Sequence, residues 1–150
     1  MARFFEVVKD EHRKNAGEIK LPTRATAHSA GYDFYSPIDI TIQPNEMAMI
    51  WTDIKAHMYY DNALFIIPRS SMGKHRIIIA NTIGLIDSDY YSNPENDGNI
   101  GFNLLNMGDK PYEIKKGDRI GQGVFVKFGT VKDDNTTSAR QGGFGSTGAH

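Results

Sequence analysis

The 150-residue chain contains no cysteine. That absence removes disulfides, thiolate nucleophiles and cysteine-ligated zinc together, and it agrees with a reducing compartment. Charge of either sign is not in excess: seventeen Lys and Arg against eighteen Asp and Glu leave a formal charge of -1. No overall field therefore gathers nucleic acid or an anionic membrane surface, and an anionic ligand must be held by local arginines. No apolar run approaches the ~20 residues of a membrane span. The opening "MARFFEVVKDEHRK" has an apolar patch too short and too charged for a signal peptide. The expectation is a soluble, cytoplasmic protein. The five histidines, His12, His28, His57, His75 and His150, are scattered, with no close pair at metal-ligand spacing.

What is present is a rhythm of short apolar runs. "RFFEVV", "IDITI", "EMAMIW", "IKAHM", "ALFIIP", "RIIIA", "NIGFNLL", "YEI" and "IGQGVFVKF" are rich in Ile, Val, Phe and Tyr and are separated by Pro, Gly, Asn and Asp clusters that suit tight turns. This predicts one all-β domain, a sandwich or barrel. The single helical expectation is a turn or two around "RSSMGKH", where a serine can cap the start. After Val131 the composition shifts to "KDDNTTSARQGGFGSTGAH", with Phe144 the only large apolar side chain. Burial there is too small to offset chain entropy, so residues 132–150 are expected to be a mobile arm on a 1–131 core.

Five stretches carry chemistry. "RQGGFGSTG" offers Arg140 for charge, glycines including Gly145 whose amides can converge on phosphate, the hydroxyls of Ser146 and Thr147, and the flat ring of Phe144. It lacks the Gly-Lys-Ser/Thr ending of a Walker loop. "AGYDFYSP" places Asp33 in a strand-like context, where it is either a solvated strand residue or an oxygen ligand for magnesium, directly or through water. "PRSSMGKHR" offers Arg69, Ser70 and Ser71 as anion donors, or equally a helix cap with a surface arginine. "GDRIGQ" supplies Gln122 as a phosphate donor, with Asp118 and Arg119 read as a structural pair. In "ANTIGLIDSDYY" the apolar alternation ends at Ile86. Asp87 follows where the strand leaves the core, placed to orient and deprotonate a water. Asp89 points the same way if the segment stays extended, so spacing does not choose between them; a turn with two solvated aspartates is the bland alternative. Tyr90 offers a ring to pack on a sugar and exclude a 2'-hydroxyl.

Taken in order, these five stretches resemble the five motifs of the trimeric deoxyuridine triphosphatases, from Leu21 almost to the end of the chain. The resemblance implies a jelly-roll-like, distorted β-barrel subunit with one short helix and a C-terminal arm, assembled as a homotrimer whose active sites are shared between chains. It implies hydrolysis of dUTP to dUMP and pyrophosphate with Mg2+. On matching positions Asp87 is the general base and Asp89 a structural neighbour. Asn81 and the backbone of Ile83, Gly84 and Ile86 form the hairpin that reads uracil, and Tyr90 packs on deoxyribose. Asp33 meets magnesium through water. Arg69, Ser70, Ser71 and Gln122 contact phosphates, Arg140 the γ-phosphate, and Phe144 covers uracil.

Two departures stand out. "YSNPEN", about six extra residues, intervenes after Tyr90 and is expected to be an exposed loop, either a surface extension or a docking site for a protein partner. The arm carries one residue fewer than the family pattern between Arg140 and Phe144. Two competing functions remain: the related dCTP deaminase, and a dUTP-gated regulatory module acting through residues 91–96.

Overall fold

Alternation and β-branching dictate strands, and the apolar runs become them. The computed structural model describes residues 2–143. The strands are β1 (Phe4–Val7), β2 (Thr23–Arg24), β3 (Tyr32–Tyr35), β4 (Ile40–Ile42), β5 (Met47–Trp51), β6 (Ile54–His57), β7 (Asn62–Ile67), β8 (Ile77–Ile79), β9 (Gly84–Asp87), β10 (Gly101–Asn106), β11 (Tyr112–Ile114) and β12 (Arg119–Lys127). One short helix, α1 (Ser70–Gly73), lies between β7 and β8. Every strand pair is antiparallel. The largest sheet runs β2-β3-β12-β7-β9, a second runs β5-β10-β8, and β1-β6 and β11-β4 form two small ribbons. This is the expected all-β, jelly-roll-like architecture.

The core lies between the two larger sheets. Phe34 of β3, Leu64 and Ile66 of β7 and Ile86 of β9 pack in one cluster with Ile50, Ile77, Ile79, Phe102 and Leu104 from the other sheet. The rings of Phe34 and Phe102 meet across it with centroids 5.2 Å apart. Burying side chains of this size contributes about 1.5–3 kcal/mol each.

One local expectation is corrected, and one strand appears that the sequence did not announce. No serine caps α1: Arg69 occupies the N-cap position without a side-chain cap bond, and the turn is held by the Met72 amide donating to the Arg69 carbonyl at 3.0 Å with Met72 buried in the core. Strand β2 has no apolar signature, both of its residues being exposed; it forms because β3 offers it an open edge.

Candidate active site

Strand β9 carries Asp87 to its end, where the residue pairs with Ala63 of β7. The chain does not stay extended beyond it. Ser88–Tyr90 form a 3-10 turn, so Asp89 is rotated away from the strand alternation. Both carboxylates are nonetheless drawn together by Arg140, whose Nη2 lies 2.5 Å from Asp87 and whose Nε lies 2.6 Å from Asp89. Asp87 and Asp89 are 50% and 58% exposed, while the Arg140 side chain is 11% exposed. Arg140 thus docks on the body rather than extending into solvent, as an arm free throughout its length would. Asp89 gains an ion pair that the sequence reading did not assign to it.

Tyr90 is buried beneath the same segment. Its hydroxyl donates to the Asn99 carbonyl and receives Asn96 Nδ2 at 2.8 Å. Burial pushes its phenol up to about 12. A Cβ on Gly143 would stand 2.7 Å from the Tyr90 ring and 2.8 Å from Asn96 Nδ2, so only glycine lets the arm pass this close.

The segment expected to read a base joins the two sheets. β8 pairs with β10 and β9 with β7, so residues 80–83 form an arch between layers, not the turn of a paired hairpin. Thr82 sits at φ 73, and Asn81 Nδ2 reaches the Ile83 carbonyl at 3.2 Å. Gly84 begins β9 directly over Ile66, where a Cβ would fall 2.2 Å from Cγ1. Asn81, Ala80, Met49 and Asn103 line a cleft beside this arch.

A second cluster forms at the other end of the large sheet. Asp33 of β3, nearly buried, lies between two guanidinium groups, Arg69 Nε at 3.5 Å and Arg119 Nε at 3.7 Å. Arg119 therefore pairs with Asp33, while Asp118 accepts from the Lys115 amide at 2.8 Å and shapes the turn before β12. Arg69 Nη1 contacts Ser71 Oγ at 3.4 Å, Ser70 opens α1, and Gln122 faces Asp33 across the β3-β12 pair with Nε2 donating to the Pro68 carbonyl at 3.4 Å. The cluster supplies two arginines, two hydroxyls and an amide to an anion. No group of three or more metal-ligating side chains occurs among the described residues. A lone carboxylate fits a hydrated magnesium shared with phosphate oxygens, and does not fit a dedicated protein cage.

The two clusters do not meet within one chain. Asp33 is in register with Gln122, whereas Asp87 reaches β12 through Ala63 opposite Val126. That is four residues along β12 and three strand spacings across, roughly 20 Å.

Residues 91–96 are not the wholly exposed loop expected. Asn93 is buried. Its Nδ2 donates to the Tyr90 carbonyl at 2.7 Å, and its Oδ1 accepts the amides of Glu95 and Asn96 at 3.0 and 3.1 Å. The turn is anchored by Asp97, whose carboxylate meets Lys55 Nζ at 2.9 Å and the Lys9 amide at 2.8 Å. Burial alone would raise Asp97, but the hydrogen bonds from Lys55 and Lys9 outweigh it and hold the carboxyl below its ordinary value. Burial likewise disfavours charged Lys55, yet Asp97 and Glu6 keep its ammonium above the usual range. Glu95 accepts the Gly143 amide at 2.7 Å. Glu95, Asn96 and Arg119 were the site residues that sequence spacing missed; each acts through a partner tens of positions away or through a turn without a motif. Phe144, Gly145, Ser146 and Thr147 lie outside the described residues.

Comparison with known proteins places this geometry. The dUTPase family model matches residues 17–148. The chain is similar to the deoxyuridine 5'-triphosphate nucleotidohydrolase of Lactococcus lactis, 41% identical over 150 residues, covering 98% of each chain. Among solved structures it resembles the dUTPase of Streptococcus mutans, with TM-score 0.76 and 35% identity over 85% of this chain and 98% of that one. It also shares the fold of a mutant dUTPase from phage phi11 of S. aureus that coordinates a structural Mg(II) ion, with TM-score 0.69 and 19% identity over 92% and 98% of the two chains.

Proposed function

The chain belongs to the dUTPase family, and from that membership we propose that it hydrolyses dUTP to dUMP and pyrophosphate by attack of water on the α-phosphorus. The observation that carries the reading is Asp87, a half-exposed carboxylate at the end of a rigid strand, with the 80–83 arch on one side and Arg140 against it.

Asp87 takes the proton of the attacking water as its oxygen bonds to the α-phosphorus. The bond from that phosphorus to the bridging oxygen breaks, and the electron pair leaves with pyrophosphate. Arg69, Ser70, Ser71 and Gln122 hold and neutralise the phosphates. Arg140 leaves Asp87 for the γ-phosphate when nucleotide enters, which frees the base. Asp33 would hold Mg2+ through water; the ion, when bound, shares the negative charge of the phosphate chain and the leaving group. Asn81 and the backbone of Ile83, Gly84 and Ile86 read uracil by hydrogen-bond pattern, and cytosine would leave buried groups unpaired. Phe144, Gly145, Ser146 and Thr147 belong to the arm, 132–150, that closes over the base and phosphates.

The separation of Asp33 from Asp87 supports sites assembled from different copies of the chain in a homotrimer. Exposed Met47, Met49, Ile83 and Leu85 supply apolar surface for such contacts. The absence of cysteine and the lack, among described residues, of any helix long and apolar enough to cross a membrane suit work in the cytoplasm. The deaminase reading has no observation in its favour; the 91–96 turn spends most of its polar groups inside the molecule, and a protein partner would meet only its exposed Ser92, Pro94 and Glu95.

Pyrophosphate release measured across dUTP, dTTP, dCTP and UTP with magnesium tests the reading. Release from dUTP alone is expected. Ammonia from dCTP, or no release from dUTP, overturns it.

A further inference from the structure

The inserted turn after Tyr90 meets the arm at one point, and its internal wiring explains why that point is firm. Asn93 caps Glu95 and Asn96 through its side-chain Oδ1, which accepts both backbone amides. The side-chain Oδ1 of Asn96 accepts from Asn93 Nδ2 at 2.8 Å and from the Gly98 amide at 3.0 Å, which leaves its Nδ2 for the Tyr90 hydroxyl. The Lys55–Asp97 pair fixes the far side of the turn to the body. Glu95 is thus an exposed carboxylate on a stiff support, and what it accepts is the amide of Gly143 at 2.7 Å. Three residues earlier in the chain stands Arg140, whose Nη1 also donates to the Gly142 carbonyl at 3.2 Å.

We propose that Glu95 is a positioning residue, and that the turn formed by residues 91–99 is a latch for the C-terminal arm. By holding the Gly143 amide, Glu95 fixes the arm across Tyr90 and delivers the Arg140 guanidinium to the edge of the catalytic carboxylate. Charge sign agrees with this division. A carboxylate on the backbone amide leaves the guanidinium free to change partners, from Asp87 and Asp89 to phosphate, while the arm stays docked. The role for catalysis rests on the dUTP-hydrolysis reading; the docking contact does not.

Docking is read without substrate by trypsin. Cleavage after Arg140 needs its side chain free, so release of the peptide that follows Arg140, followed by mass spectrometry on the whole protein, reports the open arm. Losing a charged hydrogen bond to an amide makes Glu95→Ala release that peptide about tenfold faster. Glu95→Gln, which keeps an oxygen acceptor, restores most of the protection. Gly143→Ala, which collides with Tyr90 and Asn96, repeats the Ala effect. With dUTP, Glu95→Ala lowers kcat by a similar factor and moves KM less. Unchanged cleavage in Glu95→Ala overturns the latch whatever the protein hydrolyses, and faster cleavage with unchanged dUTP kinetics overturns its role in positioning. A cleavage difference in protein that releases no pyrophosphate from dUTP supports the latch and overturns the activity.

Discussion

The guanidinium of Arg140 lies 2.5 Å from the carboxylate of Asp87, across a sequence separation of 53 residues. An arginine so placed competes with water for the oxygen that would accept its proton. The same contact matches the arm electrostatically to the end of β9.

Replacing Asp87 by Asn keeps the shape of the strand end and removes the proposed general base. Turnover of dUTP is expected to fall by about 10²–10⁴, with affinity for a non-hydrolysable dUTP analogue retained or tightened, since one negative charge near the phosphates is gone. Pyrophosphate release and analogue titration together check this; a near-normal rate removes Asp87 from the mechanism.

Ending the chain after Ser138 takes away Arg140 and everything that follows it. Among the described residues the core contributes all the large buried side chains, so the melting temperature should stay within a few degrees of the full chain. The rate should drop by at least about 10². Calorimetry beside a turnover assay separates the two effects, and full activity in the shortened protein would make the arm dispensable.

Tyr90 gives an alkaline signature. Its phenol is raised from 10.0 to about 12, so below pH ~10 folded and unfolded chains both keep the proton. Between ~10 and ~12 only the folded one does, and stability falls as pH rises, by up to about 2–3 kcal/mol. Tyr90→Phe loses the hydroxyl contacts at neutral pH but also loses this slope. Urea midpoints at pH 8 to 12 should therefore converge for the two proteins; parallel curves would contradict it.

The Lys55–Asp97 pair is almost wholly buried, so removing Asp97 leaves the buried Lys55 ammonium with only the part-exposed Glu6 carboxylate at 3.3 Å and the Ser92 hydroxyl at 3.2 Å. Asp97→Ala is expected to cost about 3–5 kcal/mol in denaturant unfolding, and a double replacement by apolar residues much less. Because the Asp97 carboxyl is held below its ordinary 3.8, its contribution is complete above that pH and disappears as pH falls through the lowered value. The variant should lack this acid-side loss.

Much of the fold was legible because period-two alternation and turn residues are local signals. β7, β10 and β12 came through as "ALFIIP", "NIGFNLL" and "IGQGVFVKF". β2 was not, since two exposed polar residues carry no pattern and pair only because β3 is there. Asp87 at a strand end was legible for the same reason that β9 was. The pairing of Asp33 with Arg119 was not, because it depends on which strands of a sheet are neighbours. Nor was the folding-in of 91–96, where Asn, Pro and Glu read as solvated residues until Asn93 and Asn96 are seen bonding to Tyr90.

The roughly 20 Å between Asp33 and Asp87 has a genetic consequence. In a shared assembly, a defect in either residue spoils a different portion of each catalytic pocket. Two inactive proteins, Asp33→Asn and Asp87→Asn, unfolded together and refolded as mixed oligomers, would then generate some pockets in which every required group is intact. Recovered turnover in the mixture, absent from either parent, is what a sheet carrying its two functional ends so far apart makes possible.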